Sequence, residues 1–285
     1  MPVQKFTNAA GALERVVLSG PEGSSCEVYL FGATVTSWKS QGKERLYVSS
    51  LAKLDGTKAV RGGIPLVFPQ FGPGPLPQHG FARNTTWELV DSNDHGASTV
   101  ARFRLTDSEQ TRLSKWPYKF SIIYTVDLTA TTLSTILQFA NTDERPFEFT
   151  SLLHTYFSVP HISDAVVEGL RGVKYADKVL GTESVEERDL VSIDRNEDRV
   201  YRDVPGDVCV RYGGDVVRLK RFNFKDIVLW NPWAELAKGM GDFADAEYVN
   251  MVCVEAGTVA SAIKLAPGET ASYGQLLTVE SASKL

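Results

Sequence analysis

Leu133, Thr135, Leu137 and Phe139 take every second position of LSTILQF, with Ser134, Ile136 and Gln138 between them. A repeat of two matches the pleat of a β-strand, whose successive side chains leave on opposite faces; a helix would scatter those four around its circumference. The turn-prone NTDERP follows, and then Phe147, Phe149, Ser151 and Leu153 resume the same period. Two such runs joined by a polar turn predict an antiparallel hairpin. Further strands are expected at Glu27 to Leu30, Thr99 to Leu105, Phe120 to Leu128, Val208 to Arg211, Asp226 to Trp230, Val249 to Glu255 and Ala271 to Val279. Helical pattern is confined to a turn near Trp233 to Lys238. Since the apolar face of every strand must be covered, the pattern predicts an all-β fold, a large antiparallel β-sandwich with little helix. At 285 residues and 43% hydrophobic composition the chain can build that core without disulfides. No repeat, charge block or long linker divides it, so one domain spanning residues 1–285 is expected.

Charge removes several function classes. The net charge of -5 leaves no basic face for nucleic acid. Cys26, Cys209 and Cys253 include no CxxC pair, which argues against a disulfide framework and a zinc site and fits an intracellular protein. The opening MPVQKFTNAAGALERVV lacks the apolar core of a signal peptide, and no stretch approaches the roughly 18 apolar residues of a membrane span, so neither secretion nor membrane insertion is expected. Ser283, Lys284 and Leu285 spell the C-terminal address read by the import receptor of peroxisome-type microbodies. They predict a peroxisomal or glycosomal location with that receptor as partner. The alternative is a polar tail on a cytoplasmic protein.

On a sandwich with one open groove, polar side chains within apolar strands become informative. His154 interrupts SLLHTYFSV, sharing a face with Leu152 and Tyr156 while Leu153, Thr155 and Phe157 take the other; it reads as a groove residue or as a core histidine satisfied by a backbone carbonyl. Glu255 closes YVNMVCVE before Ala256-Gly257, a candidate turn, and reads as a strand rim or as a base held partly out of water. Arg61 precedes Gly62-Gly63, a pair that lets backbone and ligand approach; it reads as an anion clamp or as a solvated loop charge. Proline and glycine in FPQFGPGPLP exclude helix before QHGFAR, where His79 reads as a ligand contact or as a turn histidine bonded to nearby backbone.

Six segments, RGGIPLVFPQFG, QHGFARNTTW, SLLHTYF, EDRVY, VLWNPWAE and YVNMVCVEAG, occur in that order. Together they closely resemble the aldose-1-epimerase, or galactose mutarotase-like, superfamily, and within it the hexose-6-phosphate mutarotases; the likeness runs from about Gly32 to Gln275. The resemblance implies a β-supersandwich that needs no metal or organic cofactor. It implies that His154 and Glu255 are a catalytic pair, that Arg61, Gln78, Arg83 and Asp198 contact substrate, and that His79 lines the pocket. Asn196 departs from the family, which commonly has an acid two positions before that aspartate.

The implied reaction interconverts sugar anomers by opening and reclosing the pyranose ring. It needs a base at the C1 hydroxyl and an acid at the ring oxygen, for which the expected assignment is Glu255 as carboxylate and His154 as imidazolium. Arg61 and Arg83 would hold a 6-phosphate. A mutarotase of free aldoses is one alternative. Two others are a non-catalytic sugar-binding module stacking sugar on Trp116, Trp230 or Trp233, and a metal-dependent isomerase using His79, His154 and a carboxylate, for which no His spacing gives support.

Overall fold

The computed structural model describes residues 3–280; the Ser283-Lys284-Leu285 tail lies outside the described residues. Among these, the period-two segments assemble into three antiparallel sheets. A five-stranded sheet runs in chain order from Val3–Thr7 to Lys43–Glu44. A nine-stranded sheet has the order Leu190–Ser192, Val166–Glu168, Val208–Tyr212, Asp215–Phe222, Thr270–Glu280, Thr132–Asn141, Phe120–Leu128, Thr99–Thr106, Glu88–Asp94. An eight-stranded sheet runs Thr182–Val185, Lys174–Asp177, Glu197–Tyr201, Asp226–Asn231, Met251–Leu265, Phe147–Leu153, Leu66–Val67, with Tyr156–Ser158 also pairing on Met251–Leu265. Among the described residues α-helix is limited to Trp233–Lys238, where the sequence predicts it, and Glu109–Arg112, which a reciprocal Ser108/Thr111 capping box starts.

The alternation correctly marks what is buried. Leu133, Thr135, Leu137 and Phe139 are all buried, and so are Phe147, Phe149, Ser151 and Leu153. The expected hairpin between these two runs, however, is not formed. Thr132–Asn141 pairs with Phe120–Leu128 and Thr270–Glu280, whereas Phe147–Leu153 pairs with Met251–Leu265 in the other sheet. The NTDERP turn lifts the chain from one layer to the next. Buried Asn141 fixes the step by donating its side-chain amide to the carbonyls of Arg145 and Leu265. The two apolar faces therefore meet across the core, with Phe139 and Phe149 ring centroids 4.7 Å apart. A period of two specifies a strand's face and leaves its neighbour open.

Two further expectations are corrected. His154 lies not in mid-strand but at a break between Phe147–Leu153 and Tyr156–Ser158, with its backbone N–H donating to the Pro65 carbonyl. Glu255 precedes no turn; Met251–Leu265 runs straight through Ala256-Gly257. Gly257 is needed for close packing instead, because a Cβ there would sit 2.8 Å from the Leu152 Cβ. The strand expected from Val249 starts at Met251, after a 3-10 turn over Glu247–Asn250.

Candidate active site

Antiparallel register places directly opposed residues on one face of a sheet. In the eight-stranded sheet Asp198 opposes Trp230, Trp230 opposes Cys253, and Cys253 opposes Tyr156. One step along, Val200 opposes Val228 and Val228 opposes Glu255. Residues spread from position 156 to 255 thus form two adjacent rows on one face, and the strand break puts His154 beside Glu255. The opposite face, with Leu153, Phe157, Tyr201, Leu229 and Val254, belongs to the main core. The first face opens into a cleft of about 570 Å³, within the usual range for a small-molecule site. His154, Glu255, Arg61, Gln78, His79, Arg83 and Asp198 all line it.

His154 Nδ1 lies 3.4 Å from Glu255 Oε1, with the two side chains 9% and 1% exposed. The contact lacks hydrogen-bond alignment, and both His154 Nδ1 and the second carboxyl oxygen, Oε2, are buried without a hydrogen-bonding partner. Buried polar atoms left without partners are costly to the fold, and each calls for an explanation. Burial, reinforced by the Asp198 charge, pushes the Glu255 carboxyl well above the usual carboxylate range against the opposing pull of Lys178 and Arg83. Burial likewise holds His154 well below an ordinary imidazole, helped by His79, Arg83 and Arg61. Both shifts favour the uncharged forms, imidazole and carboxylic acid, over the imidazolium and carboxylate expected from sequence. The His154 ring stacks on Tyr156, centroids 4.7 Å apart and 12° between planes, with the edge of Trp230 at 6.0 Å.

The loops deliver the remaining groups. Gly62 and Gly63 serve contact between backbones rather than backbone and ligand: their φ values are 129° and 67°, and a Cβ at Gly63 would lie 2.1 Å from the Val35 carbonyl oxygen. Arg61 reaches the cleft already paired, Nε donating to Asp242 Oδ1 at 3.1 Å, Nη2 to Oδ2 at 3.5 Å and Nη1 to the Tyr156 hydroxyl at 3.4 Å. Lys58 Nζ binds the same carboxylate at 3.0 Å. Burial tends to raise Asp242, but Arg61 and Lys58 outweigh it and hold the carboxyl below its ordinary value.

His79 stands at φ 67° in a turn closed by the Gly80 N–H donating to the Pro77 carbonyl. Its Nδ1 accepts the Gly72 N–H at 3.2 Å, which leaves Nε2 as the protonated nitrogen. The turn reading of His79 holds, and the same ring lines the cleft 5.8 Å edge-on from His154. Burial, with the charges of Arg83, Lys178 and Arg61, depresses it to about 3. Arg83 donates Nη2 to the Gln78 carbonyl at 2.9 Å, while its Nε is buried and unpartnered. Burial raises the Asp198 carboxyl against the opposing Lys178 charge. Asn196 has its Oδ1 buried without a hydrogen-bonding partner.

Sequence reasoning missed Lys178, Tyr156 and Asp242. Each acts through partners 20 to 181 positions away, and none interrupts an apolar pattern. Of the three candidate stacking tryptophans only Trp230 lines the cleft; Trp116 is core, and Trp233 packs against Tyr248. Metal-ligating atoms converge within 4.8 Å not at His79 but at His154, Cys253 and Glu255. These N, S and O donors suit a soft divalent ion only if Cys253 gives up a proton that burial holds well above the usual thiol range.

Residues 14–278 match the family model described as aldose 1-epimerase. A protein from Cenchrus ciliaris, provisionally named glucose-6-phosphate 1-epimerase, is 39% identical over 284 residues, covering 94% of this chain and 85% of its own. One from Escherichia coli with the same provisional name is 32% identical over 275 residues, covering 94% and 90%. The crystal structure of YeaD from Salmonella typhimurium, provisionally a mutarotase, superposes with a TM-score of 0.86 at 30% identity, covering 94% of this chain and 90% of that one.

Proposed function

The chain belongs to the aldose 1-epimerase family, and on that premise we propose that it interconverts the α and β anomers of hexose 6-phosphates, chiefly glucose 6-phosphate, with His154 and Glu255 as the acid-base pair. The observation that carries this reading is the buried imidazole-carboxyl contact of 3.4 Å, with His154 Nδ1 and Glu255 Oε2 left unpartnered in a cleft lined by three cations.

Opening the ring breaks the C1–O5 bond and makes a C1 carbonyl, while a proton leaves O1 and another reaches O5. The resting pair holds one exchangeable proton. Shifting it from Glu255 to His154 gives imidazolium and carboxylate; the carboxylate takes the O1 proton as the imidazolium protonates O5. The open-chain aldehyde then stands beside imidazole and carboxylic acid, the neutral form that burial favours. Rotation about C1–C2 and closure in reverse produce the other anomer with the enzyme unchanged. An unbound pair 3.4 Å apart and poorly aligned tightens when substrate is present.

His154→Asn and Glu255→Gln should each lower the anomerisation rate by roughly 10² to 10⁴-fold with the fold intact. Polarimetry on freshly dissolved α-glucose 6-phosphate measures this, and a double variant at wild-type rate would end the proposal. A non-catalytic binding module has no use for a buried acid and base sharing a proton.

Import into peroxisome-type microbodies rests on Ser283-Lys284-Leu285 alone. A fluorescent fusion keeping that tail should concentrate in such organelles, and diffuse cytosolic signal would remove the idea.

A further inference from the structure

The cations of the cleft differ in how firmly they are held. Arg61 is clamped on Asp242, whose charge Lys58 also offsets. Arg83 is tied to a neutral carbonyl and, among the described residues, has no carboxylate within ion-pair distance. Lys178 is the loose one. Its backbone is fixed, because Asp177 Oδ1 accepts the N–H groups of Val179 and Leu180 and the Lys178 N–H donates to the Asp198 carbonyl. Its side chain, 40% exposed, has among the described residues one ion-pair partner, the Asp198 carboxylate at 3.6 Å, and lies over the face of Phe71, 4.2 Å from the ring centroid. Such contacts contribute little to holding a flexible four-carbon stem.

Resting on the function proposed above, we infer that Lys178 is the residue that distinguishes a 6-phosphate from a free sugar, exchanging the Asp198 carboxylate for the phosphate and so freeing Asp198 to accept a sugar hydroxyl. A phosphate monoester brings between one and two negative charges at neutral pH. Arg83 supplies a fixed cation and Arg61 is half spent on Asp242, which leaves Lys178 as the charge free to follow the ligand. Its field already reaches the site, since Lys178 acts with Arg83 and Arg61 on His79. With a neutral sugar there is nothing to draw the ammonium away, and Asp198 stays masked. One movement would thus couple phosphate recognition to hydroxyl recognition.

Lys178→Met keeps the apolar stem over Phe71 and removes the charge. Anomerisation of α-glucose 6-phosphate and of free α-glucose, followed by polarimetry in parallel, should respond differently. For the phosphate, kcat/KM should fall about 10- to 100-fold, the worth of a hydrogen bond between charged groups, chiefly through KM. For glucose it should hold steady or rise, because Asp198 is unmasked. Competitive inhibition by inorganic phosphate should weaken in the variant, and Lys178→Arg should restore most of it. Equal losses on both sugars, or an unchanged preference between them, would overturn the role of Lys178. A wild-type protein that leaves glucose 6-phosphate anomers alone would instead overturn the function on which it rests.

Discussion

At the scale of a residue, Glu255 shows how far function departs from what a fold would choose. A carboxyl 1% exposed with one oxygen unpartnered is expensive to ionise, and its proton affinity rises well above the ordinary value. In the unfolded chain the same group ionises above its usual 4.5. Between that value and its higher folded one, the native state binds a proton the unfolded state has lost, so stability declines as pH rises through the window. His154 acts in the other sense: its folded value is depressed, and its contribution is lost as pH falls below 6.5. Glu255→Gln keeps shape and removes the titration. It should be more stable than the wild type above neutrality and lose the downward slope with pH, while losing activity. Urea midpoints from pH 5 to 8 measure this, and a variant whose slope matches the wild type would mean that the native carboxyl is ionised.

At the scale of an element, the QHGFAR loop is held by main-chain contact. Gly80, at φ 73°, lies so close to the backbone of Phe68 and Pro69 that a Cβ would fall 2.2 Å from the Phe68 carbonyl oxygen. That oxygen accepts the N–H groups of Phe81 and Ala82, which sets the path leading to Arg83. Gly80→Ala should cost more than the roughly 1–2 kcal/mol of a left-handed alanine, and it should raise KM by displacing His79 and Arg83. Gly96→Ala is the control: its φ is 76° with nothing within 4 Å of the added methyl, so it carries the conformational cost alone. Equal urea midpoints and an unchanged KM for the two variants would show that the contact does not place the loop. His154, Glu255 and the QHGFAR loop were legible in the sequence because each breaks a local pattern, polar in apolar strands or proline and glycine before a histidine. Lys178 and Asp242 break none, since their meaning lies in Asp198 and Arg61 on other elements. The misassigned hairpin at NTDERP has the same origin: alternation reports which side of a strand is dry, and partner choice depends on residues such as Leu265, far along the chain.

At the scale of the whole molecule, the site cannot be detached from the layer behind it. One continuous hydrophobic cluster runs from Val16 and Trp38 through Phe103, Phe139 and Phe149 to Val254 and Leu277, drawing on all three sheets. The strand break that presents His154 is itself tied across that core, with Gln275 of the nine-stranded sheet donating to the Thr155 hydroxyl at 2.8 Å. Losing either large sheet would therefore release the imidazole from its carboxyl. A chain of 285 residues is beyond the size at which all-or-none unfolding is the rule, so the outcome discriminates between a single unit and a separable one. In a urea titration at equilibrium, loss of anomerisation, of far-ultraviolet β-signal and of tryptophan fluorescence should share one midpoint. Activity vanishing at clearly lower urea than the β-signal would place the catalytic face in a part that opens by itself, and the single-core account of its positioning would fail.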